Sequence, residues 1–271
     1  MTDPLITDPP ADTQPPAVTV PFAVPSAGLD LLGVLHVPAG PGPHPVVVVL
    51  HGFPGNERNF DLAQALRRAG YATLVFHYRG AWGSPGGFSW GNVRDDAAAA
   101  VAAIRTADAA HRLDPQRIAL AGHSMGGFVA LHTAAADPAI GAVASLAGFD
   151  FGVAAADARS GPDARAAYVT GWAGAVGPLA GTSSEALVEE MVAAPEGWRL
   201  TTLGPALAGR PVLLVAGSRD DVSPPGDHHD PLVAAYADAR LTAHVWPTDH
   251  ALADHRVALA RALITFLDAS L

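Results

Sequence analysis

The chain has 271 residues, with 16 basic residues against 26 acidic ones, and all of the basic residues are arginine. Because it contains neither lysine nor cysteine, it cannot use a Schiff-base lysine, a P-loop lysine, a thiolate nucleophile, disulfides or cysteine metal ligands. The net charge of −10 argues against nucleic acid and anionic membranes as partners. With no signal-like start and no apolar run long enough to span a bilayer, we expect a cytoplasmic protein without a membrane segment.

The order of predicted elements begins with an arm at residues 1–17, which is rich in proline and aspartate and predicted to be flexible. Two antiparallel strands follow at Val18–Val24 and Leu29–Val37, and the unbroken apolar run Pro45–Leu50 is typical of a strand buried on both faces. The next predicted elements are a helix at Arg58–Ala69, a strand at Ala72–Tyr78, a helix at Val93–Ala110, a strand at Arg117–Ala121, a helix at Gly126–Ala136 and a strand at Ile140–Ala147. The last four are a strand at Pro211–Ala216, a short helix at Pro231–Asp238, a strand at Arg240–Trp246 and a closing helix at Ala251–Leu267.

This alternation of strands and helices predicts an α/β fold, in which a mostly parallel sheet of about eight strands has helices on both faces. We assign the core to residues 18–148 and 210–271. Residues 149–209 break the alternation and carry short helical patterns such as Glu185–Ala194 among glycines and prolines. They predict a helical cap inserted over the C-terminal edge of the sheet, where such folds bind ligands.

The run Gly122-His123-Ser124-Met125-Gly126-Gly127 lies between a predicted strand and a predicted helix. In that context, small residues on both sides of a serine allow a sharp turn that exposes its hydroxyl. The helix that follows offers unpaired N–H groups, which favour negative charge near the serine oxygen. Ser124 is therefore the candidate nucleophile, and we expect His123 to pack or to form a local hydrogen bond.

A serine nucleophile needs a histidine base and a carboxylate that orients the histidine. The loop after the strand Pro211–Ala216 carries the candidate acid Asp220, with Asp221 beside it as an alternative. The loop after the last strand carries the candidate base His250. Asp150 is a further candidate for the acid, because it follows an earlier strand, and His255 is a further candidate for the base.

Acyl transfer also needs two donors for the developing oxyanion. The backbone N–H of Met125 follows the nucleophile and is the first candidate. The second comes from the loop that starts at His51 after the valine-rich strand. In that loop Gly52 allows close approach of the backbone, and Pro54 has no N–H, so the predicted donor is the N–H of Phe53.

With these motifs in place, the chain resembles the α/β-hydrolase superfamily, and within it the dienelactone-hydrolase-like and prolyl-oligopeptidase-like serine hydrolases. The resemblance covers roughly residues 18–270. It is carried by His51-Gly52, by the stretch His77–Gly87, by Gly122–Gly127, by Gly217–Asp220 with Pro224, and by Asp249-His250. It implies a carboxylesterase or a related acyl hydrolase that uses Ser124, His250 and Asp220 and requires no cofactor.

The sequence motifs define the substrate pocket less closely than they define the triad. Trp82, Phe88, Trp90 and Trp172 lie in loops or in the predicted cap, and we expect them to form an apolar pocket for a small ester. Peptidase, amidase or thioesterase action on a small acyl substrate is the nearest alternative, and a non-catalytic binding protein with the hydrolase fold is a distant one. The sequence leaves the oligomeric state open.

We expect several other polar residues to stabilise the fold rather than to take part in catalysis. Asp95 and Asp96 are placed to favour the dipole of a helix that begins at Val93, and Arg79 is expected to hold loop backbone or to pair with a carboxylate nearby. The adjacent histidines His228 and His229 have no other ligands at metal spacing, so we predict a solvated loop there and no metal site.

Overall fold

An eight-stranded sheet forms the centre of the protein in the computed structural model, which describes residues 3–107 and 109–271. Its strands are β1 (Val18–Ser26), β2 (Leu29–Val37), β3 (His44–Leu50), β4 (Ala72–Phe76), β5 (Leu113–His123), β6 (Ala142–Leu146), β7 (Pro211–Gly217) and β8 (Arg240–Trp246). The spatial order is β1-β2-β4-β3-β5-β6-β7-β8, with β2 antiparallel to both of its neighbours and all other pairs parallel. The predicted α/β fold with a mostly parallel sheet is confirmed.

Ten α-helices accompany the strands within the described ranges. They are α1 (Phe60–Arg68), α2 (Trp90–Arg105), α3 (Met125–Ala136), α4 (Phe151–Ala158), α5 (Pro162–Ala173), α6 (Ser184–Ala193), α7 (Gly204–Leu207), α8 (Pro225–His228), α9 (Asp230–Ala235) and α10 (Arg256–Asp268). No helix in this part of the chain is both long and apolar enough to cross a bilayer.

The valine-rich strand β3 explains how the two faces of the sheet are covered. Side chains alternate along a strand. Val46, Val48 and Leu50 enter one hydrophobic cluster, which includes buried residues of α2, α3, α4 and α6. Val47 and Val49 enter the other cluster, which includes the apolar faces of α1 and α10. The run of β3 that is apolar at every position, Pro45–Leu50, therefore serves two cores, as the sequence pattern indicated.

Two predicted helices begin several residues away from the expected position, and the first of them also ends earlier than expected, at Arg105. The helix expected from Val93 begins three residues earlier at Trp90, because the Ser89 side chain accepts a hydrogen bond from the backbone N–H of Asn92 at 3.1 Å and caps it. The closing helix expected from Ala251 begins at Arg256 instead. The residues before it form a short 3₁₀ turn, Ala253–His255. The N–H of Ala253 donates a hydrogen bond to the Asp249 side chain.

The segment between β6 and β7, residues 147–210, carries α4 to α7 and is tied to an earlier loop of the core by backbone hydrogen bonds. The N–H of Ala180 donates to the carbonyl of Gly80 at 2.7 Å, and the N–H of Phe88 donates to the carbonyl of Ala180 at 2.9 Å. The N–H of Trp82 donates to the carbonyl of Pro178 at 3.0 Å. The β6–β7 segment is thus joined to the loop that follows β4.

That loop is held from the core side by a buried ion pair. The early start of α2 places Asp96 beyond the first turn, where its side chain is 0% exposed, so the expectation that it serves the helix dipole is wrong. Its Oδ1 accepts from Arg79 Nε at 2.6 Å and from Ser26 Oγ at 2.6 Å, and its Oδ2 accepts from the N–H of Arg79 at 2.8 Å. The expected pairing of Arg79 with a carboxylate is what the structure contains, and it joins β1, α2 and the loop after β4.

We expect Asp96→Ala to lower the free energy of unfolding by on the order of 3 kcal/mol, because it removes the buried carboxylate that pairs with Arg79 and leaves Ser26 and Arg79 without that acceptor. Asp95→Ala is the matched control. The Asp95 side chain is 75% exposed and lies 3.5 Å from Arg79, so its loss is expected to change stability by less than about 0.5 kcal/mol. Denaturant unfolding of both variants measures the difference, and equal losses would contradict this role for Asp96.

Candidate active site

The turn between β5 and α3 places Ser124 at the C-terminal edge of the sheet. Its backbone has φ 55° and ψ −119°, a conformation that few non-glycine residues adopt. The surrounding glycines make the turn possible. A Cβ on Gly122 would overlap the carbonyl oxygen of Gly126, and a Cβ on Gly126 would overlap that of Leu50. Because neither position has a Cβ, the chain packs tightly enough to hold Ser124 in this conformation.

Ser124, His250 and Asp220 form one continuous hydrogen-bonded chain. Ser124 Oγ lies 2.9 Å from His250 Nε2, and His250 Nδ1 lies 2.8 Å from Asp220 Oδ2. The nitrogen that faces a carboxylate carries the proton, so Nε2 is free to accept the proton of the serine hydroxyl. The three residues come from loops after β5, β7 and β8, whose carboxyl ends meet at the same edge of the sheet.

The Asp220 carboxylate is held on both oxygens. Besides the bond from His250, its Oδ1 accepts the backbone N–H groups of Val222 at 2.9 Å and Ser223 at 2.8 Å. Burial favours the neutral acid, but the hydrogen bonds from His250 and from these amides outweigh it and hold the pKa of Asp220 below its ordinary value. Asp220 is therefore anionic at neutral pH, the form needed to orient a histidine.

The alternative residues lie elsewhere. Asp221 is exposed to solvent. Asp150 is buried as the N-cap of α4, where it accepts from the N–H of Gly152 at 2.8 Å and that of Leu200 at 3.0 Å. His255 Nδ1 lies 2.9 Å from Asp254. The structure therefore brings Asp220 and His250 to Ser124, and leaves these three alternatives in other environments.

Two residues beside the triad were not identified as part of the site from the sequence. Ser223 Oγ lies 3.0 Å from Asp220 Oδ2 and 3.1 Å from His250 Nδ1. His123 Nε2 donates to the carbonyl oxygen of His250 at 2.8 Å, and burial lowers the pKa of His123 to about 4, so it is neutral near pH 7. The Asp-x-x-Ser spacing is a local signal for Ser223, whereas the bond from His123 spans 127 residues and is non-local.

The residues of both predicted oxyanion donors, Phe53 and Met125, lie beside Ser124. Met125 is the first residue of α3, so its N–H is among those without an intrahelical partner. The loop after β3 packs directly on the nucleophile, since a Cβ on Gly52 would lie 3.0 Å from Ser124 Cβ. His51 Nδ1 donates to the Gly52 carbonyl at 2.8 Å and helps to hold this loop, and burial lowers the pKa of His51 to about 3. Phe53 and Met125 both border the cavity that contains Ser124.

This cavity has a volume of about 160 Å³ and opens onto Ser124 and His250. Its other lining residues are apolar: Phe53, Trp90, Met125, Phe149, Phe151, Trp172 and Val222. Of the four aromatic residues expected in the pocket, Trp90 and Trp172 line it. Phe88 packs beside Trp90 with ring centroids 5.5 Å apart and is not among the lining residues. Trp82 is also not among them, and its Nε1 donates to the Pro54 carbonyl at 2.8 Å.

His228 and His229 are both buried, so the expectation of a solvated loop is wrong. His228 Nδ1 accepts the backbone N–H of Asp150 at 2.9 Å, and its ring stacks on Phe149 at 4.9 Å. Burial lowers the pKa of His228 to about 4. The neutral ring thus supports the aromatic wall of the cavity from behind, a role that depends on contacts with a distant part of the chain.

Comparison with known proteins identifies the family of this chain. The model of the alpha/beta hydrolase family matches residues 47–262, which is most of the chain. The chain belongs to the alpha/beta hydrolase family. Among curated proteins, it is similar to an uncharacterized 31.7 kDa protein in the traX-finO intergenic region of Escherichia coli, with 31% identity over 137 residues. That alignment covers 49% of this chain and 48% of the relative, so it spans about half of each protein.

Solved structures of other hydrolases share this fold. The Pyrococcus furiosus esterase Pf2001 superposes with a TM-score of 0.71 and 17% identity, covering 94% of this chain and 92% of the esterase. Est1E from Butyrivibrio proteoclasticus with ferulic acid bound gives 0.67 and 21% identity, covering 92% of this chain and 98% of Est1E. At these identities the likeness supports the fold alone, and the dienelactone-hydrolase-like or prolyl-oligopeptidase-like subgroup stays a prediction.

We expect Gly122→Ala to destabilise the protein by at least about 2 kcal/mol, because the added methyl group would overlap the backbone of Gly126. Gly171→Ala is the matched control. It lies within α5 with open space at the Cβ position, so alanine is expected to be neutral or to stabilise by up to about 1 kcal/mol. Thermal unfolding measures both changes, and a fully stable Gly122→Ala variant would contradict the packing argument.

Proposed function

We propose that this hydrolase cleaves a carboxylic ester through an acyl-enzyme intermediate formed on Ser124. The observation that carries the proposal is the unbroken chain from Ser124 through His250 to Asp220, with links of 2.9 Å and 2.8 Å, at the mouth of an apolar cavity. An isolated serine hydroxyl is a poor nucleophile, and a histidine held by a carboxylate is the arrangement that activates it.

In the first half of the reaction, Ser124 Oγ attacks the ester carbonyl carbon while its proton moves to His250 Nε2. Asp220 stabilises the imidazolium that forms and keeps its Nδ1 proton in place. The negative charge on the carbonyl oxygen is stabilised by the N–H groups of Phe53 and Met125 and by the N-terminal end of α3. When the tetrahedral intermediate collapses, the carbon–oxygen bond to the alcohol breaks, and the alcohol leaves with the proton from His250.

In the second half, His250 takes a proton from water as the water oxygen attacks the acyl-enzyme. Collapse of the second tetrahedral intermediate returns the proton to Ser124 and releases the carboxylic acid. Each step moves only protons and acyl bonds, so the residues of this chain and one water molecule complete the cycle.

The lining of the cavity favours an uncharged, apolar acyl or alcohol group. Five aromatic rings, Met125 and Val222 surround the space next to Ser124, and no arginine, aspartate or glutamate is among the lining residues. A charged acyl group would lose its hydration there without gaining a partner. An ester of ferulic acid, the ligand in the Est1E structure, belongs in a substrate panel for this reason, because its acyl group is aromatic and uncharged.

The same triad chemistry also serves peptidases, amidases and thioesterases, which remain the alternatives within this proposal. A distant alternative is a hydrolase-fold protein that binds small molecules without turnover. Comparing kcat/KM on an ester, a thioester and an anilide of the same acyl group separates the first three. A fluorophosphonate probe that failed to label Ser124 would favour the last.

We expect Ser124→Ala to reduce kcat by about 10⁴-fold or more, because the remaining groups cannot supply a nucleophile. Asp220→Asn is expected to cost on the order of 10⁴-fold, because the amide no longer selects the correct histidine tautomer. Asp221→Asn is the matched control at the neighbouring exposed position, and its kcat is expected within about twofold of the parent. Steady-state kinetics on a p-nitrophenyl ester measure all three, and a reversed order of the two aspartates would contradict the assignment.

For substrate class, we expect kcat/KM for a neutral aromatic or medium-chain p-nitrophenyl ester to exceed that for a succinate monoester of similar size by at least about tenfold. The reason is the desolvation of the second carboxylate in the apolar cavity. A preference for the charged acyl group would count against the proposed pocket while leaving the triad assignment intact.

A further inference from the structure

Trp90 packs against three other aromatic residues that line the catalytic cavity. Its side chain is only 2% exposed, and it is the first residue of α2. Its ring centroid lies 4.6 Å from that of Phe151, 5.3 Å from that of Phe53 and 5.4 Å from that of Trp172. All four residues line the cavity beside Ser124, so the position of one indole ring influences the shape of the whole wall.

The position of Trp90 is set by the β6–β7 segment. Its Nε1 donates to the carbonyl oxygen of Leu187 at 2.9 Å, and its backbone N–H donates to Glu190 Oε2 at 2.9 Å. The other carboxylate oxygen of Glu190 accepts the N–H of Gly91 at 2.7 Å. Leu187 and Glu190 are three residues apart on α6 and therefore lie on the same face of that helix. Three hydrogen bonds thus attach the first residues of α2 to one turn of α6.

The Glu190 carboxylate suits this position for two reasons. The first N–H groups of a helix have no intrahelical partner, and Ser89 satisfies only that of Asn92 through its side chain. Glu190 takes both of the donors that precede it, through charge-assisted hydrogen bonds. Its negative charge also lies at the positive end of the α2 dipole. The side chain that completes the α2 cap is therefore contributed by a residue about 100 positions later in the sequence.

We propose that Glu190 is a positioning residue that sets the acyl-group selectivity of the catalytic cavity by fixing Trp90 between α2 and α6. This inference rests on the proposed esterase function. Glu190 is not among the residues that line the cavity, so it acts through Trp90 rather than by contact with substrate. A small acyl group fills only the space next to Ser124, whereas a larger one must pack against the aromatic wall that Trp90 holds.

The test compares Glu190→Gln with Glu189→Gln across p-nitrophenyl acetate, hexanoate and benzoate. Glutamine keeps the size of the side chain but replaces one of the two accepting oxygens with an NH₂ donor and carries no charge. We expect Glu190→Gln to lower kcat/KM for hexanoate and benzoate by about tenfold, chiefly through KM, and to leave acetate within about twofold of the parent. Glu189 pairs with Arg165 on the outer face of α6, so Glu189→Gln is expected to retain the parent selectivity.

A double-mutant cycle identifies the route of the effect. In a Trp90→Ala background, Glu190→Gln is expected to cause less than about a twofold further loss on hexanoate, because the residue through which Glu190 acts is already gone. A full tenfold loss in that background would overturn the inference. An equal loss on acetate and hexanoate in the single variant would also overturn it, since that result indicates general damage rather than a change in selectivity.

Near-ultraviolet circular dichroism gives a readout that does not require turnover. Glu190→Gln is expected to change the tryptophan signal of the parent and to leave that of a Trp90→Phe variant unchanged. If the parent hydrolyses no ester, the proposed function fails, and the spectra alone decide whether Glu190 positions Trp90. If the parent is active but Glu190→Gln keeps both its selectivity and its spectrum, the inference fails while the proposed function stands.

Discussion

The close contact of backbones around Ser124 is the constraint on which the rest of the site depends. Ser124 adopts a positive φ, and glycines at positions 122 and 126 allow β5, α3 and the end of β3 to approach within contact distance. This packing directs Ser124 Oγ out of the sheet edge and places the first N–H groups of α3 beside it. It also brings Gly52, and with it the candidate oxyanion loop, against the nucleophile. Side chains at these glycine positions would separate all three elements.

Hydrogen bonds from distant parts of the chain then hold the loops that meet at this edge. The buried Arg79–Asp96 pair fixes the loop after β4, and backbone bonds from that loop hold the β6–β7 segment. His123 donates to the carbonyl of His250 and keeps the last loop over the nucleophile. A buried polar group in a low dielectric is costly unless it is paired, so each of these bonds strongly favours one arrangement of its loop.

The sequence predicted the parts of the site that arise from local pattern. The strand–turn–helix context of Ser124 and the offset of Asp220 after β7 are readable within about ten residues, as is the position of His250 directly after β8. Residues whose roles depend on distant partners were missed or misassigned. His228 was expected in solvent but supports Phe149, Asp96 was expected at a helix start but pairs with Arg79, and Glu190 carries no local sign that it caps α2.

The amino-acid sequence by itself determined the order of strands and helices, the buried character of β3 and the candidate triad, because hydrophobic period, turn residues and motif spacing are local properties. The tertiary structure decided which of three candidate aspartates and two candidate histidines join Ser124 in one hydrogen-bonded chain, and which aromatic rings line the cavity. Those outcomes depend on how loops separated by tens to more than a hundred residues pack against one another. Hydrogen bonds and aromatic contacts act over a few ångströms in space, so their partners cannot be inferred from distance along the chain.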